Sequence, residues 1–500
     1  MNAPMFVWLI ALPLAASPFV YLSGRAAKTA RDPARWTAWG TLLLTWAPFA
    51  AAARDFRANG AAQFSYGAIT LRFDGVSMLA SALVLVLGTI VAFYSGAYIA
   101  RDERPEKYHA LLLMLLGVMM GLMCAADLFN LWVWFEAMAV TSYVLVVFHR
   151  ERLASLEAGV KYLVQSATGS MFIVLGIALV LAQTGTLDLD AIRAIVFKQG
   201  VTPPLLAASA LFVVGLGVKA ALVPLHTWLP DAHAEAPSGI SALLSGIVIE
   251  VGLIALLRVL SPLSGAEGGG QWGVLLMGLG ACNMFAGNLL ALRQTQVKRL
   301  LAYSTVAQIG YVLLGLGIGI YANELAGAQG GFFHLVNHGL MKGLAFLAAG
   351  ALLFALHTRA DPRPLTVADI GGAAARYPLT ALALSIAVLG LAGLPPLAGF
   401  MSKWQIFVSG FETHNFWIEA LIVFAALNSV LSLAYYAPLV NAVYRKHPSP
   451  AVQEGQPLPF ALRAPLAILA CAIVVIGIYP NVLNWLTQPA GAALLDAFSK

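Results

Sequence analysis

The sequence predicts an all-α polytopic membrane protein with about 14 transmembrane helices, and three observations predict it. Its 500 residues are 60% hydrophobic and only 10% charged, whereas soluble domains carry about 25% charged residues. The apolar residues form long continuous runs, each close to the roughly 20 residues that a helix needs to cross a bilayer. The polar loops between these runs are too short to hold a soluble catalytic domain.

Each apolar run is one predicted span, and the spans are numbered in chain order. The first run has no basic flank before it and no small-residue cleavage site, so it is predicted to be a helix rather than a signal peptide. The fourteen spans are 5–23, 36–53, 75–99, 109–127, 128–148, 157–182, 205–224, 236–260, 272–292, 300–320, 329–356, 377–408, 414–443 and 462–482.

The basic residues predict the orientation of the chain in the membrane. Of 29 Lys and Arg, nineteen fall in loops or helix ends that follow odd-numbered spans, and seven fall on the other side. Cytoplasmic loops carry the excess of basic residues, so both termini are predicted outside. The same rule explains the formal charge of +6 without nucleic acid, which is not an expected partner.

The sequence predicts no cofactor, no metal and no catalytic residue. Cys124, Cys282 and Cys471 are isolated within apolar runs and lack the spacing of zinc or iron–sulfur ligands. No glycine-rich phosphate loop follows a strand and opens a helix. Any redox or hydrolytic reaction coupled to this chain is therefore expected to lie in other subunits.

Spans 7 and 12 are both interrupted by proline. Span 7 reads VVGLGVKAALVPLHTWLPDAH, with Lys219 ahead of Pro224, and span 12 reads LAGLPPLAGFMSKWQIF, with Pro395 and Pro396 ahead of Lys403. Proline removes a backbone donor and frees carbonyl groups inside the membrane. Broken helices at matching places of two halves are typical of a transport site, whereas ordinary proline kinks are the alternative.

Charged side chains lie inside several of the predicted spans. An ionised group in hydrocarbon costs several kcal/mol, so it is usually kept where it faces protein or water and has a function. Charges of both signs inside the spans predict a protein that moves charge. These residues are Glu136, Lys219, Glu250, Lys342 and Lys403, with Asp127 at the edge of a span.

Glu136 in span 5 and Lys219 in span 7 are predicted to act as a pair. A buried carboxylate needs a nearby cation to stay ionised, and a lysine separated from that carboxylate loses its proton more readily. Closing and opening the contact would therefore switch the lysine between its charged and neutral forms. A static ion pair that only orients two helices is the alternative.

Span 11 reads GGFFHLVNHGLMKGLAFLAAG and places His334, His338 and Lys342 four residues apart on one helix face. Histidine both accepts and donates a proton near neutral pH, so this face is predicted to organise a proton path about 12 Å long. Zinc binding and hydrogen-bonded core histidines are the alternatives. Glu250 in span 8 is expected to lie on the same path, paired with a cation or a bound ion.

Two polar groups lie at the edges of the spans. Lys298 precedes span 10, where a surface role under the positive-inside rule is favoured over an inward one. The short segment after Lys219 is crowded with polar residues that are interpreted as fixing the loop, with proton entry as the alternative. These residues are His226, Asp231, His233 and Glu235.

Five segments resemble the antiporter-like subunits of respiratory complex I and of membrane-bound hydrogenases, and the equivalent membrane subunit of Mrp-type cation/proton antiporters. The similarity extends over nearly the whole length of the chain, and its five strongest segments are highly specific as a set. They are FEAMAVTSY (135–143), VKAALVPLHTWLPDAHAEAPSGISALLSG (218–246), KRLLAYSTVAQIGY (298–311), FHLVNHGLMKGLAFLAAG (333–350) and GLPPLAGFMSKW (393–404).

The resemblance implies two inverted five-helix repeats and a prokaryotic inner-membrane location. The expected organisation is helices 1–3 in 1–108, the first repeat in 109–260, the second repeat in 272–443 and helix 14 in 444–500. It also implies proton-transfer roles for Glu136, Lys219 and the terminal Lys403. Family members usually carry Lys or His where this chain has Glu250, so the sign of the central group is reversed here.

The function expected from these observations is that of a proton-translocating subunit of a multi-subunit ion-pumping complex. Two half-channels would be joined at the membrane midplane by Glu136, Lys219, Glu250, His334, His338, Lys342 and Lys403. Expected partners are other membrane subunits including a homologous antiporter-like one, the lipid bilayer, and H+ with Na+ as an alternative ion. A stand-alone transporter of a small solute and a purely structural subunit are the competing hypotheses.

Overall fold

The computed structural model describes residues 4–26, 33–67, 69–100, 102–265, 268–357 and 363–499. Five of the basic residues counted for orientation lie outside these ranges, namely Lys28, Arg31, Arg101, Arg359 and Lys500. The first half of the described chain consists of α1 (Val7–Ala26), α2 (Pro33–Asn59), β1 (Ala62–Tyr66), β2 (Ile69–Phe73), α3 (Gly75–Tyr98), α4 (Pro105–Cys124), α5 (Leu128–Val146), α6 (Leu153–Thr184), α7 (Leu189–Gln199), α8 (Pro203–Lys219), α9 (Trp228–Glu235), α10 (Ser238–Leu243) and α11 (Ile249–Leu260).

The second half is helical as well. Its helices are α12 (Gly270–Ala291), α13 (Val297–Ala322), α14 (Leu325–Leu356), α15 (Pro378–Ala392), α16 (Ala398–Glu412), α17 (Phe416–Val443), α18 (Pro450–Glu454), α19 (Phe460–Ile478) and α20 (Asn484–Ser499). Short 3-10 turns lie at Ser261–Leu263, Ala373–Ala375 and Pro480–Leu483, and a π-helical turn at Leu244–Val248 joins α10 to α11.

The predicted spans correspond to these helices in order. Spans 1–6 are α1–α6, span 7 is α8 and the turn after it, span 8 is α10 with α11, and spans 9–11 are α12–α14. Span 12 is α15 with α16, span 13 is α17 and span 14 is α19. Within the described residues, eleven helices are long and apolar enough to cross a membrane. The all-helical membrane fold is thus confirmed, while the count of fourteen crossings stays a prediction.

The structure contains elements that the apolar runs do not predict. β1 and β2 form an antiparallel hairpin, and α20 follows the last span, where only helix 14 is expected. The amphipathic helix α7 lies between spans 6 and 7. Each is too short or too polar to appear as an apolar run of spanning length.

The long helix α14 is largely buried and packs against α13, α15, α16, α19 and α20. In contrast, α1 and α17 turn large apolar side chains outward, including Phe19 and Trp417. A polar side chain on α14 is consequently separated from solvent and needs a hydrogen-bond partner on a neighbouring helix.

One ion pair fastens α3 to α11 at a helix end. Asp74 caps α3 by accepting a 2.8 Å hydrogen bond from the Ser77 backbone N–H, and it pairs with Arg258 at 2.8 Å. Burial raises the pKa of Asp74, but Arg258 and Ser77 together outweigh burial and hold this pKa below its usual value. The carboxylate therefore stays ionised and ties the two helices together.

Candidate functional site

Lys219 is the last residue of α8 and is buried in a polar cluster made by three other helices. Its Nζ donates to Ser142 Oγ on α5 at 2.9 Å and to the Tyr162 hydroxyl on α6. The Tyr162 ring lies 4.5 Å from the ammonium and stacks on Trp228 of α9 with ring centroids 3.9 Å apart. Hydrogen bonds and two aromatic faces thus replace the water that Lys219 has lost.

Glu136 does not form the ion pair with Lys219 that its sequence context predicts. Within the described residues its carboxylate makes no ion pair, and the buried Oε1 has no hydrogen-bond partner. Glu136 and Ser142 are six residues apart on α5, about 9 Å along the helix. The structure therefore contains the separated arrangement of the predicted switch, with Lys219 held by hydroxyl groups instead.

The interruption of span 7 ends α8 directly after Lys219. Ala221 adopts a positive φ of 52° and the Val223–Pro224 peptide bond is cis. Asn283 of α12 compensates for the lost helical hydrogen bonds, because its Oδ1 accepts from Val223 N at 2.8 Å and its Nδ2 donates to Ala221 O at 3.3 Å. The break is thereby stabilised by the second half of the chain.

Glu250 of α11 meets His338 of α14. Glu250 Oε1 lies 2.7 Å from His338 Nδ1, and both side chains are completely buried. The other oxygen of Glu250 and the other ring nitrogen of His338 have no hydrogen-bond partner among the described residues. His338 of span 11 is thus the partner of Glu250, and the pair keeps one free acceptor or donor on each side among the described residues.

Two local features bring these side chains together. The π-helical turn Leu244–Val248 directly precedes α11, and such turns are frequent at functional sites. At the helix crossing, a Cβ on Gly246 would lie 2.9 Å from the Gly339 carbonyl oxygen, and a Cβ on Gly339 would lie 2.5 Å from the Gly246 carbonyl oxygen. Only glycine at both positions allows this approach, which places Glu250 beside His338.

The other two groups of the α14 face bind α13 and α16. Lys342 donates to the carbonyl oxygen of Leu301 at 2.8 Å and to the Ser304 hydroxyl. His334 contacts Ser402 Oγ at 2.9 Å and Gln308 Oε1 at 3.2 Å. All three residues of this face are fully buried and face neighbouring helices.

Lys403 of α16 binds a carbonyl group that proline has freed. In a continuous helix the carbonyl of Leu391 would accept from residue 395, which is a proline and has no N–H. Lys403 Nζ donates to this oxygen at 2.8 Å, and Gln308 Nε2 donates to it at 2.9 Å. Since Gln308 also contacts His334, a continuous set of hydrogen bonds joins His334 to Lys403.

Pro396 has the same effect one residue later. It leaves the Ala392 carbonyl without a helical donor, and the Ser429 hydroxyl of α17 donates to this oxygen at 2.8 Å. Ser429 Oγ also accepts from Lys403 at 2.9 Å, and the ammonium lies 4.2 Å from the Tyr311 ring centroid. The double proline therefore creates the polar seat of Lys403.

Polar groups at one edge of the site link α6, α9 and α13. Asp231 accepts from Lys161 at 2.9 Å and from Arg299. Burial raises the pKa of Asp231, but hydrogen bonds from these two cations outweigh it and hold the pKa below its usual value. This supports the interpretation that Asp231 fixes the segment after the break.

Lys298 is buried, so the surface role favoured for it is wrong. Its side chain is 6% exposed, and Nζ donates to the Ala236 carbonyl at 2.6 Å and to the Ala234 carbonyl at 3.3 Å. It caps the end of α9 and lines a cavity of about 340 Å³ together with Glu235 and Arg152. The carbonyls left free where α9 ends draw the lysine inward.

Tyr162, Asn283 and Ser429 are polar residues of the site that the sequence patterns do not indicate. Tyr162 and Ser429 accept hydrogen bonds from buried lysines, and Asn283 stabilises a helix break. A polar residue inside an apolar span is a usable signal for each of them, because hydrocarbon does not satisfy a hydroxyl or an amide. Their partners, however, lie 57, 60 and 26 positions away along the chain.

Gly252 connects the Lys219 cluster to the Glu250 pair. It follows Glu250 by two residues on α11, and a Cβ at this position would lie 3.1 Å from Lys219 Cγ. We expect Gly252→Val to displace Lys219 from Ser142, because overpacking of a tight contact costs about 1–3 kcal/mol. Proton uptake by the whole reconstituted complex, the function expected from the sequence, should fall roughly tenfold.

Gly278→Val on α12 is the matched control for this substitution, since nothing lies within 4 Å of a Cβ placed there. It should leave transport unchanged. Normal transport by Gly252→Val would show that the position of the lysine stem is unimportant.

Comparison with known proteins identifies the family. Residues 125–430 match the family described as "NADH:quinone oxidoreductase/Mrp antiporter, TM". The chain belongs to this family. The matched region begins just before α5 and ends within α17, so it contains Glu136, Lys219, Glu250, the α14 face and Lys403.

Relatives and solved structures agree with this assignment. The chain is 32% identical over 438 residues to F(420)H(2) dehydrogenase subunit N of Methanosarcina mazei, covering 87% of each protein. It is 32% identical over 442 residues to hydrogenase-4 component B of Escherichia coli, covering 84% of this chain and 64% of that longer protein. A chain of the membrane-bound sulfane sulfur reductase, an archaeal respiratory membrane complex, superposes with a TM-score of 0.88 at 29% identity, covering 99% and 98% of the two chains.

The resemblance carried by the five sequence segments is therefore confirmed. The protein is an integral membrane protein of the antiporter-like subunit family, which includes subunits of oxidoreductase, hydrogenase and Mrp complexes. The family match covers every residue of the polar network from Glu136 to Lys403.

Proposed function

We propose that this chain translocates protons, with Na+ as the alternative ion, as the antiporter-like subunit of a multi-subunit membrane complex. The observation that carries the proposal is the buried network from Glu250 through the α14 face to Lys403. This network contains groups that take up and release protons, and neighbouring groups are connected by hydrogen bonds or lie one helical turn apart. Family membership supports the same role.

The proposed path has two parts joined at α11. In the first, Lys219 holds or releases a proton according to its distance from Glu136, as opposite charges favour each other's ionised forms. In the second, a proton moves from the Glu250–His338 pair along α14 to Lys403, where release leaves the amine neutral. Each step moves one proton between a named donor and acceptor and requires no redox chemistry.

The partners and the location are part of the proposal. Other membrane subunits, including a homologous antiporter-like one, would supply the driving reaction, because the relatives hydrogenase-4 component B and F(420)H(2) dehydrogenase subunit N are each one part of a larger enzyme. The outside termini follow from the positive-inside distribution, and the prokaryotic inner membrane follows from the similarity to relatives in Escherichia coli and Methanosarcina mazei. The complex I-like, hydrogenase and Mrp types remain the three candidate assemblies.

The test is proton uptake by vesicles that contain the whole reconstituted complex and a pH-sensitive dye inside. Glu250→Gln should reduce uptake strongly, because the amide keeps the shape of the carboxylate but does not exchange a proton with His338. Glu324→Gln, at the start of α14 and outside the network, is the control and should behave like the parent protein. Undiminished uptake by Glu250→Gln would contradict the path through α11.

The same preparation separates the proposal from the solute-transporter hypothesis. The chain purified without the other subunits should transport no small solute. Solute flux by the isolated chain, with uptake by the complex unaffected by Glu250→Gln, would favour the stand-alone transporter.

The reversed sign of the central group leads to a prediction about ion choice. Glu250→Lys replaces the partner of His338 by a cation and should remove any use of Na+, which needs an oxygen ligand. Proton uptake measured with and without Na+ should therefore become equal in this variant. If the variant retained the parent's difference between the two conditions, Glu250 would not determine ion choice.

A further inference from the structure

A groove of about 840 Å³ opens between the first turn of α4 and the turn that joins α5 to α6. Both places are ends of predicted membrane spans, so the groove lies where the hydrocarbon region meets the polar boundary. The residues that line the groove belong to loops rich in Lys and Arg, so the groove lies on the side of the membrane that carries the basic loops. None of the ion-path residues described above belongs to this lining.

The inner wall of the groove is apolar. Leu111 of α4, Val144 of α5, and Val147 and Phe148 of the following turn form this wall. Val144 is 41% exposed and faces outward from the helix bundle. An acyl chain can lie along such a wall, because it replaces contacts that surrounding lipid would otherwise make.

The rim of the groove carries basic side chains without ion pairs. Among the described residues, Arg104, Lys107, Arg150 and Arg152 line it and make no ion pair with a carboxylate. The carboxylates at the rim are Asp102, which lies 3.7 Å from His149, and the exposed Glu103 and Glu151. Four basic side chains against three carboxylates leave an excess of one positive charge at the mouth.

Two long helices also begin at this rim. α4 and α6 carry Arg104 and Arg152 at their N-cap positions, and neither N-terminus is capped by a side chain. The N-cap usually holds a side chain that accepts a hydrogen bond, and arginine has no acceptor. The backbone N–H groups at the start of α6, whose first turn holds no acidic residue, add to the attraction that the cations exert on an anion.

We propose that this groove binds an anionic phospholipid. The phosphate lies at the basic rim, where Arg and Lys groups donate to its oxygens, and one acyl chain lies along the apolar wall. Cations at the polar boundary above an apolar wall match the order of charged head and apolar tail in a phospholipid. This combination selects a lipid over a free phosphate, which would leave the wall exposed.

The lipid would also influence the inner cavity. Arg152 lines both the groove and the 340 Å³ cavity that contains Lys298. A phosphate beside Arg152 offsets part of the positive charge at the mouth of this cavity, so cations enter it more readily. This consequence rests on the proposed ion transport, whereas lipid binding itself does not.

The experiment measures lipid retained by the purified complex in native mass spectra after exchange into equal amounts of phosphatidylglycerol and phosphatidylcholine. The groove variant Lys107→Gln with Arg150→Gln should lose retained phosphatidylglycerol by roughly tenfold or more, because each basic residue near an anionic lipid adds to the attraction. The matched control is Arg293→Gln with Lys446→Gln, two exposed basic residues outside the groove, and it should retain the parent's amount.

Three results would overturn the assignment. Equal retention of phosphatidylglycerol by the groove and control variants would remove the site. Displacement of the lipid by excess inorganic phosphate would assign the rim to a free anion. Cross-linking of Val144→Cys to another protein subunit would show that protein covers the groove. Loss of lipid with unchanged ion uptake would keep the site and overturn only its influence on the cavity.

Discussion

Replacing Lys403 by alanine is expected to abolish ion translocation. Lys403 is 3% exposed and joins the Leu391 carbonyl, the Ser429 hydroxyl and the Tyr311 ring, so its loss removes the last proton-carrying group of the network. A positioned acid or base contributes roughly a hundredfold or more to a proton-transfer rate. Proton uptake by vesicles containing the reconstituted complex should fall by about that factor.

Two further substitutions separate proton transfer from a structural role. Lys403→Arg keeps a cation and several donors at the site, but a guanidinium stays protonated in proteins and does not pass a proton on. It should therefore be as inactive as Lys403→Ala. Lys446→Ala, in an exposed loop, is the control and should be fully active. Full activity of Lys403→Arg would mean that this lysine supplies only positive charge.

Lys298→Ala provides a second comparison. Lys298 is buried and caps the end of α9, so this variant is expected to lose some activity through local unfolding of that helix end. The loss should remain smaller than that of Lys403→Ala, because the network from Glu250 to Lys403 stays intact. A larger loss for Lys298→Ala than for Lys403→Ala would show that the essential proton-transfer step lies near Lys298 at the edge of the protein.

The second large effect is expected for Glu136→Gln. The Glu136 carboxylate stabilises the protonated form of Lys219, because opposite charges favour each other's ionised forms. Removing this charge takes away the group on which the proposed switch of Lys219 depends. Proton uptake should decrease by at least about tenfold, while the amount of assembled complex in the membrane stays unchanged.

Glu157→Gln is the matched control for this substitution. Glu157 forms an exposed pair with Lys161 at 2.7 Å, and exposed pairs contribute little. Wild-type uptake by Glu136→Gln, at equal assembly, would remove the switch between Glu136 and Lys219.

Local features of the sequence were enough to establish the class of the fold and the set of candidate groups. Long apolar runs leave few structures other than helices, since backbone groups in hydrocarbon are satisfied only within the helix. Prolines 224, 395 and 396 mark the two breaks, because proline cannot donate the helical hydrogen bond. Charges inside the runs are recognisable from the cost of burying them. No distant residue alters these properties.

Helix packing, by contrast, selects which group meets which. Pro395 determines that the Leu391 carbonyl is free, but the packing of α13 and α16 brings Gln308 and Lys403 to it. Lys219 binds Ser142 and Tyr162 rather than Glu136. These partners are remote in sequence, and the helix crossings that unite such groups depend on close contacts such as that between two glycines at the crossing of α14 with the π-helical turn. The association of helices inside a membrane protein depends on such close crossings. The pattern of hydrophobic and charged residues along the sequence does not specify them.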